Sequence, residues 1–258
     1  MLKNKKGIIF GIANDHSIAW GIAKKLAENG AEIGITYQND ILLKRINPLA
    51  KKINCNLLIQ CDFSHQDSIK ECFKEVEKKF HKIDFIIHAA AFSDKNELNG
   101  KYLNTSKDNF INTLNISCFS FTEISKEASK IMNKNGSLLT LSFYGSNKVM
   151  PNYNVMGVAK AALETSVKYL SVDLGSQDIR VNAISAGPMR TLAGAAIANA
   201  RDVYNYTQSN SPLKRNVNLE EIGNSALYFI SDLSKSVTGE IHYVDCGFNI
   251  IGMPNNKF

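Results

Sequence analysis

Seven short, almost continuously apolar runs recur along the chain with amphipathic stretches between them, and this alternation limits the fold more than any other feature. The runs are GIIFGI (7–12), AEIGIT (31–36), NLLIQ (56–60), IDFIIHA (83–89), GSLLTLS (136–142), IRVNAIS (179–185) and GEIHYV (239–244). Runs of four to seven apolar residues without polar alternation suit strands of a parallel sheet covered on both faces. Helical periodicity between them predicts helices over 18–29, 41–53, 66–80, 107–133, 153–175 and 219–231. Strands and helices in strict turn, joined by right-handed crossovers, give a doubly wound sheet that binds ligands at the carboxyl ends of its strands.

The expected fold class is therefore α/β: a single-domain, Rossmann-like parallel sheet of about seven strands with helices on both faces. The 258 residues can fill one such core, and no repeat, low-complexity tract or Pro/Gly linker divides residues 1–258. Residues 187–216 follow a strand but are rich in small residues, and they read as a flap over the site rather than a framework helix.

Composition narrows the function classes. No apolar run approaches the ~20 residues of a membrane span, and the basic N-terminus leads into a glycine turn rather than a cleavage site, so neither a membrane nor a signal segment is expected. The five cysteines are scattered without a CxxC, which suits a reducing, cytoplasmic setting. The five histidines form no HExxH, so no metal is expected. A net charge of +6 could serve an acidic partner such as nucleic acid or a carrier protein. The lysines are dispersed and mixed with acids, however, which reads as solvated helix faces and not a nucleic-acid arm.

The first strand–turn–helix has the layout of a phosphate-binding unit. Gly11 permits close approach of backbone to pyrophosphate, and Ser17 stands where it would cap the next helix and offer a hydroxyl. The usual GxGxxG is absent, and alone this signal is weak. The next strand ends strengthen it. TYQND places neutral Gln38 where the adenosine ribose is read, favouring NADH over its 2′-phosphorylated form, although Lys44 and Arg45 follow. QCDF places Asp62 where it can accept from the adenine amino group.

Two Tyr–Lys pairs lie further on. Tyr144 and Lys148, four apart, enclose Gly145, Ser146 and Asn147 and precede Pro151, a loop composition. Tyr153 and Lys160, in PNYNVMGVAK, are seven apart. Seven residues at roughly 100° each return to within about 20° of the start, so these two share a helix face.

With GIANDHSIAWGIA (11–23), TYQND, HAAAF (88–92), the Tyr-x6-Lys of 153–160, VNAISAGPMRTLA (181–193) and TGEIHYVDCGFNI (238–250), the chain resembles the short-chain dehydrogenase/reductase superfamily. Within it the sequence is similar to the NADH-dependent enoyl-acyl-carrier-protein reductases of type II fatty acid biosynthesis. The resemblance implies hydride transfer from NADH to the β-carbon of a trans-2-enoyl thioester, with acyl carrier protein as partner and a homotetramer as the assembly. It favours Tyr153 as hydrogen-bond donor to the thioester oxygen and Lys160 as holder of the nicotinamide ribose, its charge expected to make the phenol more acidic. Cofactor contacts are expected from Gly11, Ser17, Ile18, Gln38, Asp62, Phe63, Ala90, Lys160, Met189, Thr191, Leu192 and Ala193. The acyl chain is expected against Phe92, Ser93, Leu98, Met156, Ala193 and Ile197.

One position departs from the family pattern. A second tyrosine is usual ten residues before the first of the pair, but Phe143 stands there and Tyr144 follows. Neighbouring strand residues point to opposite faces, so Tyr144 inherits the place only if the strand end is distorted. The alternatives are a ketone or alcohol reductase of the same superfamily and a non-catalytic NAD-binding protein, because fold alone does not fix function.

Overall fold

The computed structural model describes residues 1–65, 67–195 and 197–253, without the side chains of Ala193 and Ala195. The last five residues of the expected single domain thus lie outside the described residues. Seven strands form one sheet: β1 Lys6–Phe10, β2 Glu32–Tyr37, β3 Leu57–Gln60, β4 Ile83–His88, β5 Met132–Ser142, β6 Ile179–Ala186 and β7 Ile241–Val244. Their order is β3-β2-β1-β4-β5-β6-β7 and every pairing is parallel. The helices are α1 Ile18–Glu28, α2 Asp40–Lys52, α3 Ser68–Phe80, α4 Lys107–Leu114, α5 Ser120–Ile131, α6 Asn154–Gly175, α7 Leu192–Ala195, α8 Ala200–Asn210 and α9 Leu219–Ile230.

The unbroken apolar runs have the cause proposed for them. Ile9, Ile35, Ile87, Leu139 and Ile184 face one layer, where they pack with Ile22 and Leu26 of α1 and Ile222 and Phe229 of α9. Ile8, Phe10, Ile59, Ile86 and Leu138 face the other, against Phe73 and Val76 of α3, Phe121 and Ile124 of α5, and Leu163 and Val167 of α6. Both faces of the central strands β1, β4 and β6 are buried, so neither face needs polar residues, while the edge strands β3 and β7 are only partly covered. Removing such large side chains from water is the main favourable contribution, roughly 1.5–3 kcal/mol for each one fully buried.

Three expectations change. The helix predicted over 107–133 is interrupted by a π-helical turn at Asn115–Phe119, and its last two residues belong to β5. The extra residue turns Ser117 inward, where its hydroxyl accepts from the Phe92 N–H at 2.9 Å and donates to the Phe92 carbonyl at 3.0 Å. The segment read as a flap rather than a framework helix contains α7 and the eleven-residue α8. The first strand stops at Phe10 because Gly11 takes φ +97°, and a β-carbon there would lie 2.4 Å from the Ala89 carbonyl oxygen. Only glycine allows both the angle and the approach.

His88, at the end of β4, is wholly buried yet fully partnered. Its Nδ1 lies 2.8 Å from the Thr140 hydroxyl on β5 and its Nε2 2.9 Å from the Ser120 hydroxyl on α5. Burial, with a smaller contribution from the Lys160 charge, lowers its pKa to about 3. The ring is therefore neutral in the folded protein while the unfolded chain takes up a proton near its ordinary value of about 6.5. Below that value the unfolded state binds more protons than the folded one, so stability falls as pH drops from about 6.5 towards 3, by a few kcal/mol in order of magnitude. Urea unfolding across this range should show the slope, and His88→Gln, whatever its own stability, should lack that part of it.

Candidate active site at the carboxyl ends of the strands

The chain crosses from one side of β1 to the other between β3 and β4, and this switch opens a crevice above the strand ends. There lies a cavity of about 1870 Å³. Single small-molecule sites usually run to roughly 300–1,000 Å³, so this one has room for a dinucleotide and a second molecule side by side. Among the expected cofactor residues, Gly11, Ser17, Ile18, Gln38, Asp62, Phe63, Ala90, Lys160, Met189, Thr191 and Leu192 line it. So do the expected acyl-chain residues Phe92, Ser93, Leu98, Met156 and Ile197. Ala193 belongs to α7, and its side chain lies outside the described residues.

The dinucleotide end is built from the β1–α1 turn and the ends of β2 and β3. Ser17 precedes α1 but does not cap it in the expected way. Its hydroxyl instead accepts from the backbone N–H groups of Ala13 and Asn14, each at 3.0 Å, and so fixes the turn after Gly11. The Gln38 amide donates to Asp62 at 3.2 Å, tying the second and third strand ends together. Partial burial works to raise the Asp62 pKa, but hydrogen bonds from Ser64 and Gln38 and the nearby His65 outweigh it and lower it. A carboxylate beside Gln38 suits ribose hydroxyls and would repel a 2′-phosphate. The geometry fits a nicotinamide dinucleotide without that phosphate: glycine pressed against the strand end, a helix N-terminus, and a neutral amide backed by an anion.

The other end is apolar. Leu98, Tyr153, Val155 and Met156 form a small cluster joined by Phe110, Leu114, Phe143, Met150 and Ile197. Polar side chains fasten the loop after β4 that carries Phe92 and Leu98. The Asn109 amide oxygen on α4 accepts from the Asp94 N–H at 3.0 Å, and Glu97 accepts from the Ser106 hydroxyl at 2.7 Å.

Between the two ends stand Tyr153 and Lys160, both buried and both on the cavity. α6 begins at Asn154, so Tyr153 is its N-cap residue rather than part of its first turn. The Lys160 ammonium donates to the Leu141 carbonyl of β5 at 2.8 Å. Burial lowers its pKa to about 8, a fall opposed by Cys118 and Glu164. The expected acidification of the phenol is not found. Burial, and then the Glu164 carboxylate, push the Tyr153 hydroxyl well above the ordinary phenol range. Tyr153 thus keeps its proton at neutral pH and is a hydrogen-bond donor.

The structure does not bring Tyr144 to this cavity. Its ring packs edge-on against Phe248, with centroids 5.7 Å apart, and it does not line the large cavity. Phe143 takes the inward direction and meets the Tyr153 ring edge-on at 5.0 Å. Strand alternation persists to the end of β5, and the turn Tyr144–Ser146 does not reverse it.

Sequence reasoning passed over three residues that the fold brings here. Arg190 lies 4.7 Å over the Tyr204 ring, pinning the strand side of the flap to α8. Asn109 anchors the loop after β4, and nothing in its helical surroundings marks it out. Glu164, four residues after Lys160 on the same helix, had a signal available in that spacing. Among the described residues no three His, Cys, Asp or Glu side chains gather as a metal would need, and no helix is long and apolar enough to cross a membrane.

The family described as enoyl-(acyl carrier protein) reductase matches residues 11–249. Enoyl-[acyl-carrier-protein] reductase [NADH] 2 of Rhizobium meliloti is 57% identical over 98% of this chain and 95% of its own length. The corresponding NADH enzyme of Rickettsia typhi is 53% identical over 98% and 97%. Among solved structures, the enoyl reductase of Candidatus Liberibacter asiaticus superposes with a TM-score of 0.96 at 54% identity, covering 98% of each chain. That of Anaplasma phagocytophilum, solved with NAD, gives 0.95 at 51%, covering 98% and 97%. With this agreement along nearly the whole length, and with the dinucleotide turn and the Tyr153–Lys160 pair in one cavity, the chain belongs to the enoyl-(acyl carrier protein) reductase family.

Proposed function

We propose that this chain reduces the trans-2 double bond of an enoyl thioester carried by acyl carrier protein, with NADH as reductant. The observation that supports it most is the meeting, in one cavity, of a dinucleotide turn, an apolar pocket and a protonated phenol between them. Bound NADH would supply hydride to the β-carbon of the enoyl group, and a proton from solvent, taken up at the α-carbon, completes the saturated thioester. The phenol then matters because negative charge develops on the thioester oxygen. Tyr153 donates to that oxygen, a contact strongest in the transition state and of the kind that contributes roughly 3–4 kcal/mol. The raised phenol pKa suits this role, since the proton must be held, not lost. Lys160, fixed by the Leu141 carbonyl, has further N–H donors and would hold the ribose hydroxyls. Leu98, Met156, Ile197 and Phe143 keep water from the acyl chain. Phe143 has no hydroxyl, so one tyrosine carries the donor role here.

The assembly is a homotetramer acting in the cytoplasm. Val158, Tyr169 and Val172, exposed along the outer side of α6, give an apolar surface for subunit contact. Light scattering of the purified protein measures the assembly directly.

Decay of NADH absorbance with crotonyl-CoA, set beside a β-ketoacyl-CoA, tests the reaction; reduction of the ketone alone would assign the chain to carbonyl chemistry. Tyr153→Phe should lower kcat by about 100- to 1,000-fold and leave the NADH dissociation constant within about two-fold, since the hydroxyl acts on the substrate. Lys160 should impose a pH dependence on cofactor binding. The ammonium is charged below pH of about 8 and neutral above, so NADH affinity measured by fluorescence should weaken as pH rises through that value, and Lys160→Met should bind weakly at every pH. Gly145→Ala should also impair turnover. Its β-carbon would fall 2.4 Å from the Tyr153 ring, which must shift. Steady-state kinetics should show kcat reduced by about ten-fold or more, because small displacements of a reacting group are costly.

A further inference from the structure

Glu164 contacts the tail of β5 in a way the proposed mechanism does not use. Tyr153, Gly157, Lys160 and Glu164 follow one another at spacings of four, three and four, and so lie along one face of α6 and the turn before it. That face lies against residues 141–146. A β-carbon on Gly145 would strike Tyr153, and one on Gly157 would lie 2.7 Å from the Gly145 carbonyl oxygen. Lys160 holds the Leu141 carbonyl. A single Glu164 oxygen, Oε1, accepts from two hydroxyls: that of Ser142, at the end of β5, and that of Ser146, at 2.6 Å, at the end of the following turn. The bond pair spans the two residues that shape the Tyr153 ring's surroundings, Phe143 at its edge and Gly145 against its ring.

We propose that Glu164 is a positioning residue, a strap that closes the 142–146 turn onto α6 and thereby fixes the Tyr153 ring. The inference rests on the role given above to Tyr153. Cutting the strap leaves two hydroxyls without their acceptor and frees the segment that walls the ring, while the Lys160 bond to Leu141 and the dinucleotide end stay as they are. The charge of Glu164 also acts on its neighbours, opposing proton loss from both Tyr153 and Lys160. Glutamine separates the two effects, because its amide oxygen can still accept from both serines.

The test compares Glu164→Ala, Glu164→Gln and the double variant Ser142→Ala/Ser146→Ala. Readouts are kcat with crotonyl-CoA, NADH affinity and stoichiometry, and amide hydrogen exchange over 143–147. The strap predicts that Glu164→Ala loses about ten-fold or more in kcat and gains similarly in exchange, with one NADH still bound per chain at near-wild-type affinity when measured well below pH of about 8, where Lys160 keeps its charge without help from Glu164. Glu164→Gln should recover most of both. The serine double variant should reproduce the alanine phenotype, and adding Glu164→Ala to it should change little further. Wild-type kcat and exchange in Glu164→Ala, or a glutamine variant as impaired as the alanine one, would overturn the strap. If Glu164→Ala does not fold, the serine pair carries the same test. Wild-type protein inactive on enoyl thioesters would strike the proposed reaction instead, and the exchange data would still decide whether the turn is strapped.

Discussion

The site depends on the close apposition of the β5 end and the first three turns of α6. Where these two elements meet there is no room for a side chain at Gly145 and none at Gly157. The polar contacts across the junction are Lys160 to the Leu141 carbonyl and Glu164 to Ser142 and Ser146. Each of these bonds involves an ionised group, and charge-assisted hydrogen bonds are roughly twice as strong as neutral ones. Their strength offsets what it costs to hold an ammonium group away from water. The junction sets the two chemical groups, phenol and ammonium, at fixed places between the two ends of one cavity.

Burial then decides what those groups can do. In water a phenol and a lysine titrate close together, near 10. Desolvation moves them apart here: the neutral phenol is favoured and its proton retained, while the charged lysine is disfavoured and its pKa falls to about 8. A tyrosine that ionised readily would lose the donor that an oxyanion needs. The same principle keeps His88 neutral beneath the site, where it serves as a hydrogen-bonded brace between β4, β5 and α5 and not as a third titrating group.

The cavity's two ends are held by different means. At the dinucleotide end the restraints lie within one turn or between adjacent strand ends: Ser17 to its own turn, and Gln38 to Asp62. At the apolar end they run from helices to a loop. Ser117, displaced inward by the π-helical turn, clamps Phe92, and Asn109 holds the following residues from α4. Single π-helical turns inside α-helices recur at functional sites, and this one fixes the loop after β4 at Phe92, past the strand end at His88.

Much of this was legible in the amino-acid order alone. Continuous apolar runs gave seven parallel strands because burial on both faces removes any need for alternation, and Gly11, Gln38 and Asp62 were placed on the cavity by their position after strand ends. Tyr153 and Lys160 were paired by helical geometry, which acts over a few residues and can be counted. The π-helical turn at 115–119 could not be read, since FINTLNISCF contains neither glycine nor proline and the distortion answers to a partner more than twenty residues away. Nor could the sequence say that Ser17 would turn from its helix to its own loop, or that Tyr144 would pack on Phe248. It suggested that Lys160 would acidify the phenol, but the sign of the shift depends on how dry the site is and which carboxylate lies near. Local order fixed the elements and which residues they carry to the strand ends; long-range packing decided exposure, partners and protonation, because those depend on what the rest of the chain brings alongside.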